Sequence, residues 1–231
     1  MVGYITERAR DGGELMAITY KNNVSKVKSK VSDVTLSDIV DGMPRMVFIF
    51  QCSPTPSSSV SFGGNAMTLM KSLLQTKWGE YLNLWYYIVP DSMSGGTYTV
   101  TNNNGINMGY TQIDGIDTTV IYENYQYYQS GSNTAKQTVT PSITARSNSV
   151  LLGAYGFATE TGPRSVTFNT DTTRLCQPGS WNASGLLWHP QNGGSDVLAA
   201  YWTGTAQKNA IWGVALVPYQ PVSNTQAIWW G

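Results

Sequence analysis

The feature that most constrains this chain is its rhythm. From residue 46 onward apolar and polar positions alternate over short stretches, and turn-forming clusters interrupt them repeatedly. Alternation with period two places every second side chain on one face of a strand. No segment keeps an i, i+3, i+4 apolar pattern for three turns, and the best helical stretch, residues 68–76, is short. Residues 46–51 form an apolar run suited to a central strand. In 81–89, Leu82, Leu84, Tyr86 and Ile88 face one way while Asn83, Trp85, Tyr87 and Val89 face the other, so both faces need cover; Pro90 ends the ladder. Residues 97–101 put Tyr98 and Val100 inward and threonines outward. Further strand signals fall at 107–113, 122–128, 136–139, 149–157, 165–169, 197–202 and 210–217, separated by Gly, Asn, Ser and Pro clusters at 94–96, 102–105, 131–133, 161–163 and 192–194. About ten short strands at close spacing predict an all-β antiparallel sandwich, and a jelly-roll-like arrangement fits best. The Val-Pro endings at 87–90 and 215–218 are too slight to make an internal repeat.

Charge divides the chain. Residues 1–45 hold seven basic and six acidic side chains, and the remaining 186 residues share fifteen. This predicts an extended, charge-rich N-terminal arm over 1–45, a β-sandwich domain over 46–219 and a C-terminal tail over 220–231. Lys26, Lys28 and Lys30 alternate with Val27, Ser29 and Val31, which suits either an ordinary first strand with a lysine-protected face or an arm laid on a neighbouring subunit. The tail is polar until Ile228, Trp229 and Trp230, whose rings are costly to leave in water and pack on their own domain or on a partner.

Fourteen basic residues balance fourteen acidic ones, which weighs against a nucleic-acid partner. Only 12% of residues are charged, so the surface is polar through amides and hydroxyls, as in secreted domains, adhesins and virion proteins. Zero net charge leaves self-association weakly opposed, which favours a homo-oligomer. Residues 1–8 show no secretory pattern. Residues 46–70 are uncharged, but Pro54, Pro56 and Ser57, Ser58 and Ser59 break them, so no membrane span is expected.

Chemistry is sparse. A Ser or Cys nucleophile usually needs a histidine base, and the one histidine, His189, sits among aromatic and turn-forming neighbours that mark it as a partly buried structural or a surface histidine. Cys52 and Cys176 read as buried free thiols, with a single disulfide as the alternative. One histidine and no acidic cluster leave no zinc site. Asp114-Gly115-Ile116-Asp117 reads as a strand-to-turn junction. No catalytic residue, metal or cofactor is expected. Aromatics are abundant instead, with eight Trp and fourteen Tyr. Strict alternation over 122–128 sets Tyr122, Asn124, Gln126 and Tyr128 on one face, and tyrosines beside amides suit sugar stacking or a wet protein interface. The candidate binding residues are Tyr122, Tyr128, Trp188, Trp229 and Trp230.

Four stretches carry a resemblance. They are Phe62-Gly63-Gly64-Asn65-Ala66-Met67-Thr68-Leu69, Leu84-Trp85-Tyr86-Tyr87-Ile88-Val89-Pro90, Gly96-Thr97-Tyr98-Thr99-Val100 and Ile113-Asp114-Gly115-Ile116-Asp117-Thr118-Thr119. In this order the chain resembles, over residues 60–218, a family of jelly-roll-like β-sandwich domains found in bacteriophage virion proteins and environmental bacterial surface proteins. The resemblance implies a non-enzymatic virion structural protein, either a capsid decoration or cement protein or a head or tail appendage. Such a protein is made in the host cytoplasm and has its own copies and capsid or tail proteins as partners. A carbohydrate-binding or receptor-binding module using surface aromatics is the second expectation, with a glycan as partner. A hydrolase using Asp114 and Asp117 is the third.

Overall fold

The computed structural model describes residues 17–27, 30–39, 42–53, 59–75, 80–103, 107–135, 137–157, 165–176, 183–203 and 207–221. Its described elements are all strands. The first nine are β1 (Thr19–Val27), β2 (Val31–Leu36), β3 (Arg45–Ser53), β4 (Val60–Phe62), β5 (Asn65–Ala66), β6 (Thr68–Gln75), β7 (Glu80–Val89), β8 (Gly96–Asn102) and β9 (Asn107–Asp114). The rest are β10 (Tyr122–Ala135), β11 (Gln137–Val139), β12 (Ile143–Phe157), β13 (Val166–Phe168), β14 (Thr173–Cys176), β15 (Ala183–Asp196), β16 (Ala199–Trp202) and β17 (Gln207–Leu216). They form four antiparallel sheets, ordered β1-β9-β3-β7-β6, β2-β8-β4-β5, β10-β17-β12-β15-β14 and β11-β16-β13.

Period-two alternation explains how four sheets pack. On β3, Met46, Phe48, Phe50 and Cys52 enter a central core, while Val47 and Ile49 enter a second core beneath β2, β4 and β8. On β17, Ala210, Trp212, Val214 and Leu216 enter the same central core, while Ile211 and Ala215 enter a third core beneath β13 and β16. The two five-stranded sheets therefore face each other, and each carries a small sheet on its back. Sheets buried on both faces need apolar residues at successive positions, which is why β3 and the middle of β12 read as unbroken apolar runs.

The strand orders repeat. Replacing β1–β4 and β6–β9 by β10–β17 in sequence turns the first pair of sheets into the second; β5 alone has no counterpart. The contacts across the central core exchange in the same way, β6 with β17 and β14 with β9, β7 with β12 and β3 with β15. That is the pattern of a two-fold, self-complementary interface within one chain. Sequence traces of the repeat exist. Ser59-Val60-Ser61-Phe62 is matched by Ser165-Val166-Thr167-Phe168. Tyr20-Lys21-Asn22 is matched by Tyr122-Glu123-Asn124. The Val-Pro pair at 89–90 and 217–218 closes β7 and β17, which are not counterparts.

Several sequence expectations are corrected. The composition boundary at residue 45 is not a boundary of the fold, since β1 pairs with β9 and β2 with β8. Residues 68–75 are strand: a bulge between Leu69 and Lys71 brings Met70 and Leu73 to the same core, which mimics helical spacing. The turn expected at 192–194 lies inside β15, whose pairing with β12 continues past Pro190, Gly193 and Gly194 through a bulge between Ser147 and Val150. Both cysteines are buried thiols not joined in a disulfide.

Candidate functional site

Two edge strands, β6 and β10, lie beside each other where the central core opens to solvent, and the sequence of β10 decides what is shown there. Asn124 takes a left-handed conformation with φ 53°. Asn124 and Tyr125 together oppose one position of β17, because Glu123 pairs with Ala215 and Gln126 with Gly213. The extra residue resets the alternation. Tyr122, opposite Leu216, faces the central core, whereas Tyr128, opposite Ile211, faces the other side. The two candidate tyrosines therefore do not share a face.

The seam is built instead from residues that strict alternation hides. Tyr125 packs on the central core, 6.4 Å from the Trp212 ring. Tyr127 stacks on Tyr125 at 5.7 Å and 24° and is 53% exposed. Lys71 of β6 places its Nζ 4.7 Å from the Tyr122 ring centroid and 4.3 Å from that of Tyr125. Such a cation–π contact contributes about 0.5–1 kcal/mol at an exposed site. The described ion pairs join Lys21 to Asp114, Arg146 to Glu123 and His189 to Asp196, so no described carboxylate neutralises Lys71. Gln129 Nε2 donates to Leu74 O at 2.5 Å and ties the two edges together. Burial, reinforced by Tyr127 and then Tyr122, pushes the Tyr125 phenol up to about 12, so it remains a donor through neutral pH. The signal that finds this seam in sequence is the repeated Tyr-x-Asn, which places a bulge in both β1 and β10.

Trp188 is not a surface platform. It is 5% exposed, belongs to the central core and meets Tyr20 edge-on at 5.0 Å. Trp229 and Trp230 lie outside the described residues.

His189 is buried within a polar chain. Its Nδ1 lies 3.0 Å from Thr172 Oγ1 and its Nε2 2.8 Å from Asp196 Oδ2. Thr172 Oγ1 also lies 2.8 Å from Asn169 Oδ1, which accepts from Ala199 N at 3.1 Å. A hydroxyl, an imidazole and a carboxylate in line are the parts of a triad, yet the threonine has one proton and two acceptors competing for it. The hydroxyl turns either to Asn169 or to Nδ1. In either state the chain fastens the β13–β14 turn to β15 and β16.

Asp114 and Asp117 are engaged separately. Asp114 is 1% exposed and lies 2.8 Å from Lys21 Nζ, and its Oδ1 accepts from Gln112 Nε2 at 2.8 Å. Asp117 Oδ1 accepts from the backbone of Thr119 at 2.7 Å and of Val120 at 2.9 Å, closing the turn between the two halves. No cluster of three potential metal ligands occurs among the described residues. No family model, no curated protein and no solved structure matches the chain.

Proposed function

We propose that the chain is a non-enzymatic virion structural protein, a capsid decoration or cement protein or a head or tail appendage, built as two fused jelly rolls and working through assembly with protein subunits, its own copies included. The reading rests on one observation, the strand order. In the first half, first strand lies beside last, last beside third and third beside seventh, while second lies beside eighth and eighth beside fourth; the second half repeats it. This order supports a double Greek-key reading of the jelly-roll kind, an architecture of viral capsid proteins and lectins. The resemblance of residues 60–218 to phage virion domains supports the same choice.

Open edges supply a means of assembly. β1, β6, β10 and β14 each end a five-stranded sheet, and an unpaired edge is a template for another chain. The test is light-scattering size exclusion of the full chain beside one lacking residues 1–16, a truncation that spares every described strand; removing 1–45 would delete β1 and β2. A homo-oligomer is expected from the full chain. A monodisperse monomer that binds no virion particle overturns the proposal. The exposed Tyr127, stacked on the Tyr125 ring that Lys71 also meets, favours a second reading, a carbohydrate- or receptor-binding module, since lectins share this architecture.

A further inference from the structure

The duplication supplies an internal control for the tyrosines of β10. Both halves place Tyr, any residue and Asn at the bulge, with Asn22 at φ 55° and Asn124 at φ 53°. Tyr20 and Tyr122 each cover an open edge of the central core. Past the bulge the halves part, and Asn23, Val24, Ser25 and Lys26 stand where β10 has Tyr125, Gln126, Tyr127 and Tyr128. Tyr125 has a packing duty, because it covers Trp212, and the position of Trp212 is held by Gly109 in the other half. Tyr127 has no such duty, for the sister edge is built with Ser25. Lys71, opposite Leu84, corresponds in register to Cys176, opposite Leu186, so the sister edge carries no ammonium at that place. An exposed aromatic, beside a cation that no described carboxylate neutralises, thus stands at one of two equivalent edges.

We propose that Tyr127, the rim of Tyr125 and the Lys71 ammonium bind carboxylated pyranose sugars. The ring of Tyr127 offers a flat apolar face for the C–H side of a pyranose. The ammonium, held on two tyrosine rings, pairs with the sugar carboxylate. The stacked rings of Tyr125 and Tyr127 and the Lys71 ammonium thus lie within one seam. This site deepens the second reading above and does not depend on the oligomeric state.

Calorimetric titration of the full chain with hexagalacturonate, with an α2,8-linked sialic acid hexamer and with neutral maltohexaose tests it. At least one acidic oligosaccharide binds, and maltohexaose binds about tenfold more weakly or worse. Tyr127→Ser installs the sister half's residue and Lys71→Gln removes the ammonium; each weakens binding about tenfold while the chain stays folded. Tyr128→Lys, on the opposite face, leaves affinity unchanged. Failure of both acidic probes, equal binding of the neutral one, or binding that survives both seam variants overturns the proposal, whatever size exclusion reports about assembly.

Discussion

Gly109 and Gly153 carry no side chain because another group already occupies the place for one. A Cβ on Gly109 would lie 2.2 Å from Cys176 Sγ, and one on Gly153 would lie 2.3 Å from Trp212 O. The first obstacle is a side chain and the second a backbone carbonyl in the middle of a sheet. Gly109→Ala is therefore expected to lower stability by about 1–3 kcal/mol, the usual cost of overpacking. Cys176→Ala in the same chain should return much of that loss. Gly153→Ala should cost more, and no single partner substitution should relieve it. Urea midpoints of the three variants decide the matter; strict additivity of Gly109→Ala and Cys176→Ala would mean that the two sites do not touch. Sequence alone marks neither glycine, because both stand where a strand residue would normally carry a side chain.

At the scale of elements, the bulges of β1 and β10 are the decisive features. Asn22 Nδ2 donates to Ser37 Oγ at 2.7 Å and to Thr35 O at 3.1 Å, and Asn124 Nδ2 donates to Thr144 O at 2.6 Å. Asparagine tolerates the left-handed region because its short side chain bonds locally, whereas alanine pays for its Cβ. Asn124→Ala should destabilise by about 1–2 kcal/mol, and Asn124→Gly by less, since glycine loses only the side-chain bond. Asn22 should give the same ranking. Thermal melts of the four variants check this, and alanine tolerated as well as glycine at both positions would refute it. The bulges also explain why 122–128 was legible as a strand but not as a face. A period-two pattern survives only until an extra residue is inserted, and everything after Asn124 then points the other way. The Pro-Gly-rich half of β15 hides for a related reason: turn-forming residues sit within a bulged ladder.

For the whole molecule, the sign of pH dependence follows from buried acids. Burial pushes the Cys176 thiol up from 9.0 to about 12 and the Tyr125 phenol from 10.0 to about 12. Burial also raises Tyr110 and Tyr155. Below their ordinary values these groups are protonated in both states and the stability they lend is fully present. Above about pH 9 the unfolded chain gives up protons that the folded chain keeps, so stability falls as pH rises. Melting temperature should decline steeply between about pH 9 and 12 on this account; a flat profile there would show that these groups are not buried in solution.

The sequence by itself determined that the chain is all β, where most strands run, and that β3 and β7 need cover on both faces, because burial on two sides leaves an apolar signature in every residue of a strand. It also marked Asp114 to Asp117 as a strand-to-turn junction, since local residue chemistry settles it. Only the tertiary structure decided that residues 19–36 belong to two sheets, that four sheets stack, and that one half repeats the other. The repeat is nearly invisible in sequence because a core specifies volume at each layer rather than residue identity. Leu84-Trp85-Tyr86 and Leu186-Leu187-Trp188 are counterparts in register; the middle residue of each turns to its own half's core and the outer two to the shared one, yet only one leucine is common to both. Pairing partners lie far apart in the chain, so which tyrosine meets Lys71 is fixed by register and bulge, and those are settled only when the sheets close on one another.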